Sequence, residues 1–298
     1  MKLLLLGKNG QVGWELQRAL APLGEVTALD RQGHDGMHGD LSRLDALRET
    51  VGRLRPDVIV NAAAYTAVDK AESEPDVARV LNAEAPAVLA QEAAASGAWL
   101  VHYSTDYVFD GSGSTPRDES AATAPLSVYG QTKLEGERAI AASGCRHLVF
   151  RTSWVYAARG ANFAKTMLRL AADRDQLRIV ADQIGAPTGA DLIADVTAHA
   201  VRHALREPDA AGLYHLAAGG EVSWHGYACH VIEWARARGH AVKVAAGAVQ
   251  AIPSNEYPTP ARRPLNSRLS TRRLEETFGL ALPAWQAGVD RMLSEVLG

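Results

Sequence analysis

Short apolar runs alternate with longer amphipathic stretches along the first half of the chain. In chain order, the apolar runs lie at residues 2–6, 26–29, 57–60, 99–103 and 147–150, and the stretches of helical period lie at about 14–20, 44–54, 76–95 and 126–142. The short runs predict buried strands, and the longer stretches predict helices. Repeated strand–helix alternation predicts βαβ units and therefore a parallel sheet with helices on both faces.

The alternation is less regular after about residue 151. The predicted helices and strands here are 163–172, 190–205, 227–238 and 285–296, and 177–180 and 213–216, respectively. We interpret the chain as α/β, with a Rossmann-type doubly wound parallel sheet in residues 1–151 that binds a dinucleotide. A smaller mixed α/β substrate-binding lobe follows in residues 152–298, from which a strand or helix can return to the sheet. A cleft between the two lobes is the expected ligand site.

Composition narrows the class of protein. The 298 residues are 47% hydrophobic and 22% charged, as in ordinary globular proteins, and the net charge of -3 predicts neither a nucleic acid nor a membrane as partner. The N-terminal apolar run before Gly7 is too short for a signal peptide or a membrane span, which predicts a cytoplasmic protein. The two cysteines, Cys145 and Cys229, are far apart and form no zinc motif or disulfide framework.

A glycine-rich turn follows the first predicted strand. Gly7, Gly10 and Gly13 have the spacing G-x-x-G-x-x-G and open the first helix. Glycines allow the backbone to approach a pyrophosphate, and the helix N-terminus supplies N–H groups. Asp30 closes the next strand, where an acid accepts hydrogen bonds from an adenosine ribose. Arg31 follows directly and could accommodate a 2′-phosphate, so NADH and NADPH both remain open.

Three further side chains predict carbonyl chemistry at the same edge of the sheet. Tyr129 and Lys133 are four residues apart in a predicted helix and therefore share one face. The lysine charge is expected to lower the tyrosine pKa, so that Tyr129 exchanges a proton near neutral pH. Thr105 ends the fourth strand, where its hydroxyl can reach a substrate oxygen. The residues by themselves predict a reductase or epimerase of a polar carbonyl substrate.

Several stretches carry a family resemblance: GKNGQVGWELQRAL, RPDVIVNAAAYTAVDKAE, HYSTDYVFDG, SVYGQTKLEGE, FRTSWVYA, DQIGAPTGA and PTPARRPLNSRL. They resemble the extended short-chain dehydrogenase/reductase superfamily, and within it the branch that reduces dTDP-4-dehydro-L-rhamnose. The resemblance covers essentially the whole chain. It implies NADPH- or NADH-dependent reduction of the C4 ketone of this dTDP-sugar, in dTDP-rhamnose synthesis for lipopolysaccharide and other cell-surface polysaccharides.

The resemblance and the glycine turn together assign expected roles. The expected catalytic residues are Thr105, Tyr129 and Lys133. The expected cofactor-binding residues are Gly7, Gly10, Gln11, Val12, Gly13, Asp30, Arg31, Asp40, Leu41, Ala64, Tyr65, Thr66, Tyr103, Tyr129 and Lys133. The expected substrate-binding residues are Thr105, Asp106, Trp154 and Arg263, of which Trp154 could equally be a core residue and Arg263 part of a basic surface loop.

The resemblance also implies a homodimer bridged by Mg²⁺. The matching acids are Glu15, Asp191 and Glu295, and carboxylate oxygens suit this ion. Asp191 is shorter than the glutamate expected there, and solvated helix acids are the preferred interpretation of all three residues.

Two rival functions follow from the same fold. A nucleotide-sugar epimerase or 4,6-dehydratase is one, but a dehydratase of this type needs an Asp-Glu pair after the threonine, and here the pair is Asp106-Tyr107. A non-catalytic, dinucleotide-binding regulatory subunit is the other. The presence of Thr105, Tyr129 and Lys133 favours an enzyme over that rival.

Overall fold

Six parallel strands form the central sheet of the computed structural model, which describes all residues from 1 to 298. Labelled in chain order, they are β1 (Lys2–Leu6), β2 (Glu25–Leu29), β3 (Val58–Asn61), β4 (Trp99–Thr105), β5 (Arg146–Thr152) and β10 (Gly212–His215). Their order across the sheet is β2-β1-β3-β4-β5-β10, and every neighbouring pair is parallel. The predicted fold class is confirmed.

Successive residues of each strand point to opposite sides of the sheet, and the strands are apolar on both sides. Helices therefore cover both faces. Leu3 and Leu5 pack on one face and Leu4 and Leu6 on the other, and all four are fully buried. The first face is covered by α1 (Gln11–Leu20), α8 (Ala190–Ala204) and α10 (Arg272–Phe278), and the second by α2 (Leu44–Leu54), α5 (Ala85–Ser96) and α6 (Val128–Ala142).

The second half of the chain builds a separate core but also returns to the sheet. Its core lies among α7 (Phe163–Asp173), α9 (Trp224–Ala237) and α11 (Trp285–Leu297). Three short strand pairs complete it: β6 (Val155–Tyr156) with β9 (Thr188–Gly189), β7 (Leu177–Val180) with β12 (Val249–Ile252), and β8 (Ile184–Gly185) with β11 (Val222–Ser223). Strand β10 and helix α8 rejoin the sheet layers of the first half.

The long helix predicted at 76–95 is interrupted. After α3 (Val68–Ala71), the chain forms α4 (Pro75–Arg79), a π-helical turn (Val80–Glu84) and then α5. Pro86 in the first turn of α5 has no N–H and would clash with the carbonyl four residues earlier, which accounts for the wider turn. None of the helices combines the length and apolar composition needed to cross a bilayer.

Candidate active site

A cavity of about 850 Å³ lies at the carboxyl ends of the central strands and is lined by both halves of the chain. The order of the sheet reverses at β1 and β3, which is where open parallel sheets bind ligands. The expected site residues that line it are Gly7, Gly10, Gln11, Val12, Asp30, Arg31, Leu41, Ala64, Thr66, Tyr103, Thr105, Asp106, Tyr129, Lys133 and Trp154. One cavity therefore collects most of the residues that the sequence singles out.

The glycine turn after β1 packs directly against the backbone of the segment that follows β3. Gly7 has a φ of +87°, and a Cβ there would lie 2.7 Å from the Ala63 nitrogen. A Cβ on Gly13 would lie 2.1 Å from the Gly7 carbonyl oxygen. Gly13 does not line the cavity, so glycine is required there for packing of the turn. Gly10 is the N-cap of α1, which leaves the first N–H groups of that helix available for a pyrophosphate.

Asp30 is held as a carboxylate at the end of β2. Its Oδ2 accepts a hydrogen bond from Asn9 at 2.8 Å and lies 3.5 Å from the Lys8 ammonium. Burial raises the pKa of Asp30, but the Lys8 charge and hydrogen bonds from Asn9 and the Gln32 backbone outweigh it and hold that pKa below its usual value. Asp30 and Arg31 both line the cavity, so the side chains for a ribose hydroxyl and for a 2′-phosphate are both present.

Three of the expected cofactor residues use their side chains elsewhere. The Tyr65 hydroxyl donates to Glu74 at 2.7 Å, and Tyr65 does not line the cavity. The Asp40 carboxylate caps the turn that follows it and also lies outside the cavity lining. Tyr103 does line the cavity, but its hydroxyl is 2.8 Å from the Thr197 hydroxyl on α8. Any contact of Tyr103 with a cofactor would therefore involve its ring or backbone.

The start of helix α6 places Tyr129 beside Thr105. Ser127 is the N-cap, and its hydroxyl accepts a hydrogen bond from the Gly130 N–H at 3.2 Å. A Cβ on Gly130 would lie 2.2 Å from the Tyr107 carbonyl oxygen. This glycine therefore lets the helix pack directly against the turn that follows Thr105. As a result, Thr105 and Tyr129 line the same cavity.

The sequence predicts a lowered pKa for Tyr129, but the pKa is raised to about 12. Burial is the main cause, and the neighbouring Thr105 hydroxyl acts in the opposite direction. The Lys133 ammonium donates to the Tyr103 carbonyl at 2.6 Å and lies 3.1 Å from His102 Nε2, so it is directed towards β4. The prediction is wrong because burial raises the phenol pKa and the ammonium is directed to β4 instead of to the phenol. A phenol with a high pKa stays protonated at neutral pH, as a proton donor must.

Buried polar atoms without protein partners line the cavity next to Thr105. Burial raises the pKa of Asp106 to about 6, although the neighbouring Ser267 and Thr105 hydroxyls act to lower it. Asp106 Oδ2, Ser104 Oγ and Thr152 Oγ1 are buried and have no hydrogen-bond partner in the protein, and all three residues line the cavity. Buried polar atoms are ordinarily paired, so these three fit a ligand rich in hydroxyl or carbonyl groups.

Two stacked indoles form the wall contributed by the second half of the chain. Trp154 follows β5 with a φ of +50°, and its ring stacks on Trp224 at 3.7 Å and 14°. A Cβ on Gly185 would lie 2.8 Å from the Trp154 ring, so glycine there makes room for this indole. Both tryptophans line the cavity. Sequence reasoning missed Trp224 because only the pairing of β8 with β11 brings it to this place.

Thr152 and Ser153 also line the cavity, and the sequence motifs did not identify them as site residues. They directly follow the apolar run of β5, and the rule that ligands gather at the carboxyl ends of parallel strands could have identified them.

Arg263 lies outside the cavity lining and is already paired. Its guanidinium donates two hydrogen bonds to the Asp69 carboxylate, at 2.9 and 2.8 Å, and the Ala261 N–H donates to the same carboxylate. These contacts join the irregular segment 253–264 to helix α3. The expected contact of Arg263 with a substrate diphosphate is therefore absent from this geometry, because it would require the guanidinium to leave Asp69.

The expected magnesium ligands do not form a metal site within the chain. Each carboxylate faces an arginine: Glu15 lies 3.5 Å from Arg18, while Asp191 and Glu295 lie 3.3 and 3.2 Å from Arg291. No group of three acidic, histidine or cysteine side chains is arranged to hold a metal ion. Arg291 already lies between two of the three carboxylates, and the three do not cluster, so these residues do not fit Mg²⁺ held by one chain.

The site combines a doubly wound parallel sheet, a glycine turn at the switch point of the sheet, and a Tyr-x-x-x-Lys helix beside a strand-end threonine. Together these features define a dinucleotide-dependent oxidoreductase. The chain belongs to the family described as "RmlD substrate binding domain", whose family model matches residues 1–297. The family resemblance that the sequence motifs indicate is confirmed.

Named relatives agree over nearly the full length. The chain is 58% identical over 296 residues to the dTDP-4-dehydrorhamnose reductase of Shigella flexneri, covering 99% of this chain and 98% of that protein. The crystal structure of a dTDP-4-dehydrorhamnose reductase from Clostridium acetobutylicum matches with a TM-score of 0.89 and 35% identity, and covers 100% of both chains. The Bacillus anthracis enzyme in complex with NADP matches with a TM-score of 0.87 and 32% identity, and covers 99% of both chains.

Proposed function

We propose that this protein reduces the C4 ketone of dTDP-4-dehydro-L-rhamnose to dTDP-L-rhamnose, with NADPH or NADH, to supply cell-surface polysaccharide synthesis. The observation that carries the proposal is the convergence of Thr105, Tyr129 and Lys133 on the cavity that also holds the glycine turn. The chain is 50% and 58% identical, over nearly its full length, to relatives named dTDP-4-dehydrorhamnose reductase, and this supports the choice of sugar.

The two halves of the chain would divide the binding work. In residues 1–151, the glycine turn would hold the cofactor pyrophosphate, and Asp30 with Arg31 would face the adenosine ribose. Residues 152–298 would mainly hold the sugar nucleotide, with Trp154 as an apolar wall beside the sugar. When bound, the reduced nicotinamide supplies the hydride. The support for this division is that both halves line one continuous cavity.

Proton delivery would come from the protein. Tyr129, a neutral phenol at neutral pH, would donate its proton to the oxygen that develops negative charge at C4. The Thr105 hydroxyl would donate a hydrogen bond to the same oxygen, and it would release Asp106 Oδ1, its present acceptor at 3.1 Å, to do so. Buried Lys133 would use a remaining N–H towards the cofactor ribose.

The place where a dehydratase would need a second acid is occupied by an aromatic ring. Tyr107 lines the cavity and packs edge-to-face on Tyr129, with ring centroids 5.5 Å apart. Its pKa is raised by burial, so the phenol does not act as a carboxylate would. This observation supports reduction over dehydration.

The test follows the absorbance of NADPH and NADH during incubation with dTDP-4-dehydro-L-rhamnose. We expect both cofactors to be oxidised, and we expect Tyr129→Phe to lose about 100-fold or more in turnover while NADPH binding, measured by fluorescence, persists. Tyr257→Phe is the matched control, because this tyrosine is exposed and lies outside the cavity lining, and its rate should be unchanged.

Each alternative outcome is distinct. Unchanged turnover in Tyr129→Phe would remove this residue as proton donor. Cofactor binding without oxidation of either cofactor would indicate a non-catalytic binding protein. Purified protein that carries tightly bound NAD⁺ and interconverts nucleotide sugars without net cofactor consumption would indicate an epimerase.

A homodimer in the cytoplasm remains part of the proposal. Light scattering with and without Mg²⁺ measures the assembly directly. We expect the mass to be independent of Mg²⁺, because Glu15, Asp191 and Glu295 each already pair with an arginine. A mass that falls on chelation would show that a second chain completes a metal site.

A further inference from the structure

His102 is a buried histidine that lies under the cavity and has no role in the proposed mechanism. It lies on β4, three residues before Thr105, and is only 1% exposed. Its Nε2 is 3.1 Å from the Lys133 Nζ, and its Nδ1 is 3.2 Å from the Asn61 side-chain nitrogen at the end of β3. The imidazole therefore connects the two central strands to the lysine of helix α6.

The ammonium of Lys133 has three N–H bonds, and the strand accounts for two partners. The Tyr103 carbonyl accepts one at 2.6 Å, and His102 Nε2 is positioned to accept the second. Lys133 also lines the cavity, so the third N–H is free for a ligand. Two fixed partners on one rigid strand determine the direction of this third N–H.

We propose that His102 is a positioning residue for Lys133: through Nε2 it accepts a hydrogen bond from the ammonium, keeps the lysine charged inside the protein and aims its remaining N–H at the cofactor. This inference rests on the proposed function only in taking a nicotinamide cofactor as the bound group, because the contacts that carry it lie within the protein.

Acceptance through Nε2 fixes the tautomer of the ring. A neutral imidazole with a free lone pair on Nε2 carries its proton on Nδ1, which must then donate to an acceptor. In the structure the Asn61 nitrogen faces Nδ1, while the Asn61 oxygen accepts from the Ala63 N–H at 3.2 Å. Turning the amide over by 180° presents the oxygen to Nδ1 as the acceptor and leaves the N–H of Ala63, which lines the cavity, to bond to a ligand. Burial and the Lys133 charge lower the pKa of His102 and keep the ring neutral.

Few other charged or titratable groups lie near His102 and Lys133. Tyr129 and Glu137 lie on the same helix as Lys133, and Arg151 on β5 is paired with Glu137. Asp106 lies beyond the end of β4 and acts on Tyr129. The π-helical turn and α5 bury no charged group here, and Asn82 is their one buried polar side chain. Burial lowers the pKa of Lys133 to about 8, and Glu137 opposes this shift, so the hydrogen bond from the ammonium to His102 affects a titration close to neutral pH.

The first experiment is ¹⁵N NMR of histidine-labelled protein, with the His102 signals assigned by their loss in His102→Gln. We expect Nδ1 to be protonated and Nε2 to be a hydrogen-bond acceptor from below to above neutral pH. A proton on Nε2 throughout this range would overturn the proposal, because the ring would then donate to Lys133 and favour its neutral form.

The second experiment measures NADPH affinity against pH by fluorescence, without any sugar. In His102→Leu the acceptor is lost, and we expect the alkaline midpoint of binding to shift down by about one pH unit or more. His102→Gln keeps an acceptor oxygen and should shift less, and it remains informative if the leucine variant does not fold. His215→Gln is the matched control, because His215 is also buried but contacts Arg117 instead of Lys133.

The outcomes separate this inference from the proposed function. Unshifted midpoints in both folded His102 variants, or an equal shift in the His215 control, would overturn the role of His102. Failure of the wild-type protein to reduce dTDP-4-dehydro-L-rhamnose would overturn the proposed function and leave the NMR and binding results unaffected.

Discussion

Replacement of Glu137 by glutamine tests the buried ion pair beneath the active site. The carboxylate accepts from Arg151 Nε at 2.9 Å and Nη2 at 2.6 Å, and the side chains are only 8% and 4% exposed. Glu137→Gln leaves the arginine buried without a counter-charge, and its Nη1 already has no partner. Loss of one partner from a buried pair costs about 3–5 kcal/mol of unfolding free energy. For a chain of this size, each kcal/mol lowers the melting temperature by roughly 2 °C.

The assay is urea unfolding followed by circular dichroism, with Arg151→Met and the double variant completing a mutant cycle. We expect the double variant to be more stable than the sum of the single changes predicts, because it buries no unpaired charge. Glu276→Gln is the control, since its pair with Arg272 is exposed and its loss should have no measurable effect. A loss below about 1 kcal/mol in Glu137→Gln, the value typical of exposed pairs, would refute the reasoning.

Three other predictions concern the cavity and the pH dependence of stability. Gly185→Ala places a methyl group against the Trp154 ring, so we expect a higher KM for the sugar nucleotide and unchanged NADPH affinity; equal effects on both would contradict a local displacement. Gly13→Ala forces the turn away from Gly7, so calorimetry should detect no NADPH binding in a folded protein. Burial lowers the pKa of His215 to about 3, whereas an unfolded histidine titrates near ~6.5, so the unfolded state takes up the proton first. The contribution is therefore present above about pH 6.5 and is lost as the pH falls towards 3, by about 2 kcal/mol at pH 5, and urea unfolding of His215→Gln should lack this loss.

Much of the fold was predictable because its signals are local. Continuous apolar runs such as Leu3–Leu6 indicate strands buried on both faces. The glycine turn indicates the switch point, where the strand order of the sheet reverses. The π-helical turn before Pro86 was missed because a proline near a helix start ordinarily begins a helix and does not widen one. The return of β10 to the sheet was left open, since a short apolar run does not specify its neighbour.

The candidate site divides in the same way. Sequence order alone indicated that Thr105, Tyr129 and the glycine turn share one edge of the sheet, because carboxyl ends of parallel strands meet there. It could not show that Arg263 is paired with Asp69, or that Trp224 stacks on Trp154, because these contacts join segments far apart in the chain.

The sequence by itself therefore determined the strands, the helices and the chemical types gathered at the cavity, since each depends on neighbouring residues. Only the tertiary structure decided the protonation of those groups. The spacing of Tyr129 and Lys133 predicts a lowered phenol pKa, but burial raises it to about 12, and the ammonium is directed to His102 and the Tyr103 carbonyl. Desolvation and the direction of a hydrogen bond depend on every element packed around a group, and no local pattern contains that information.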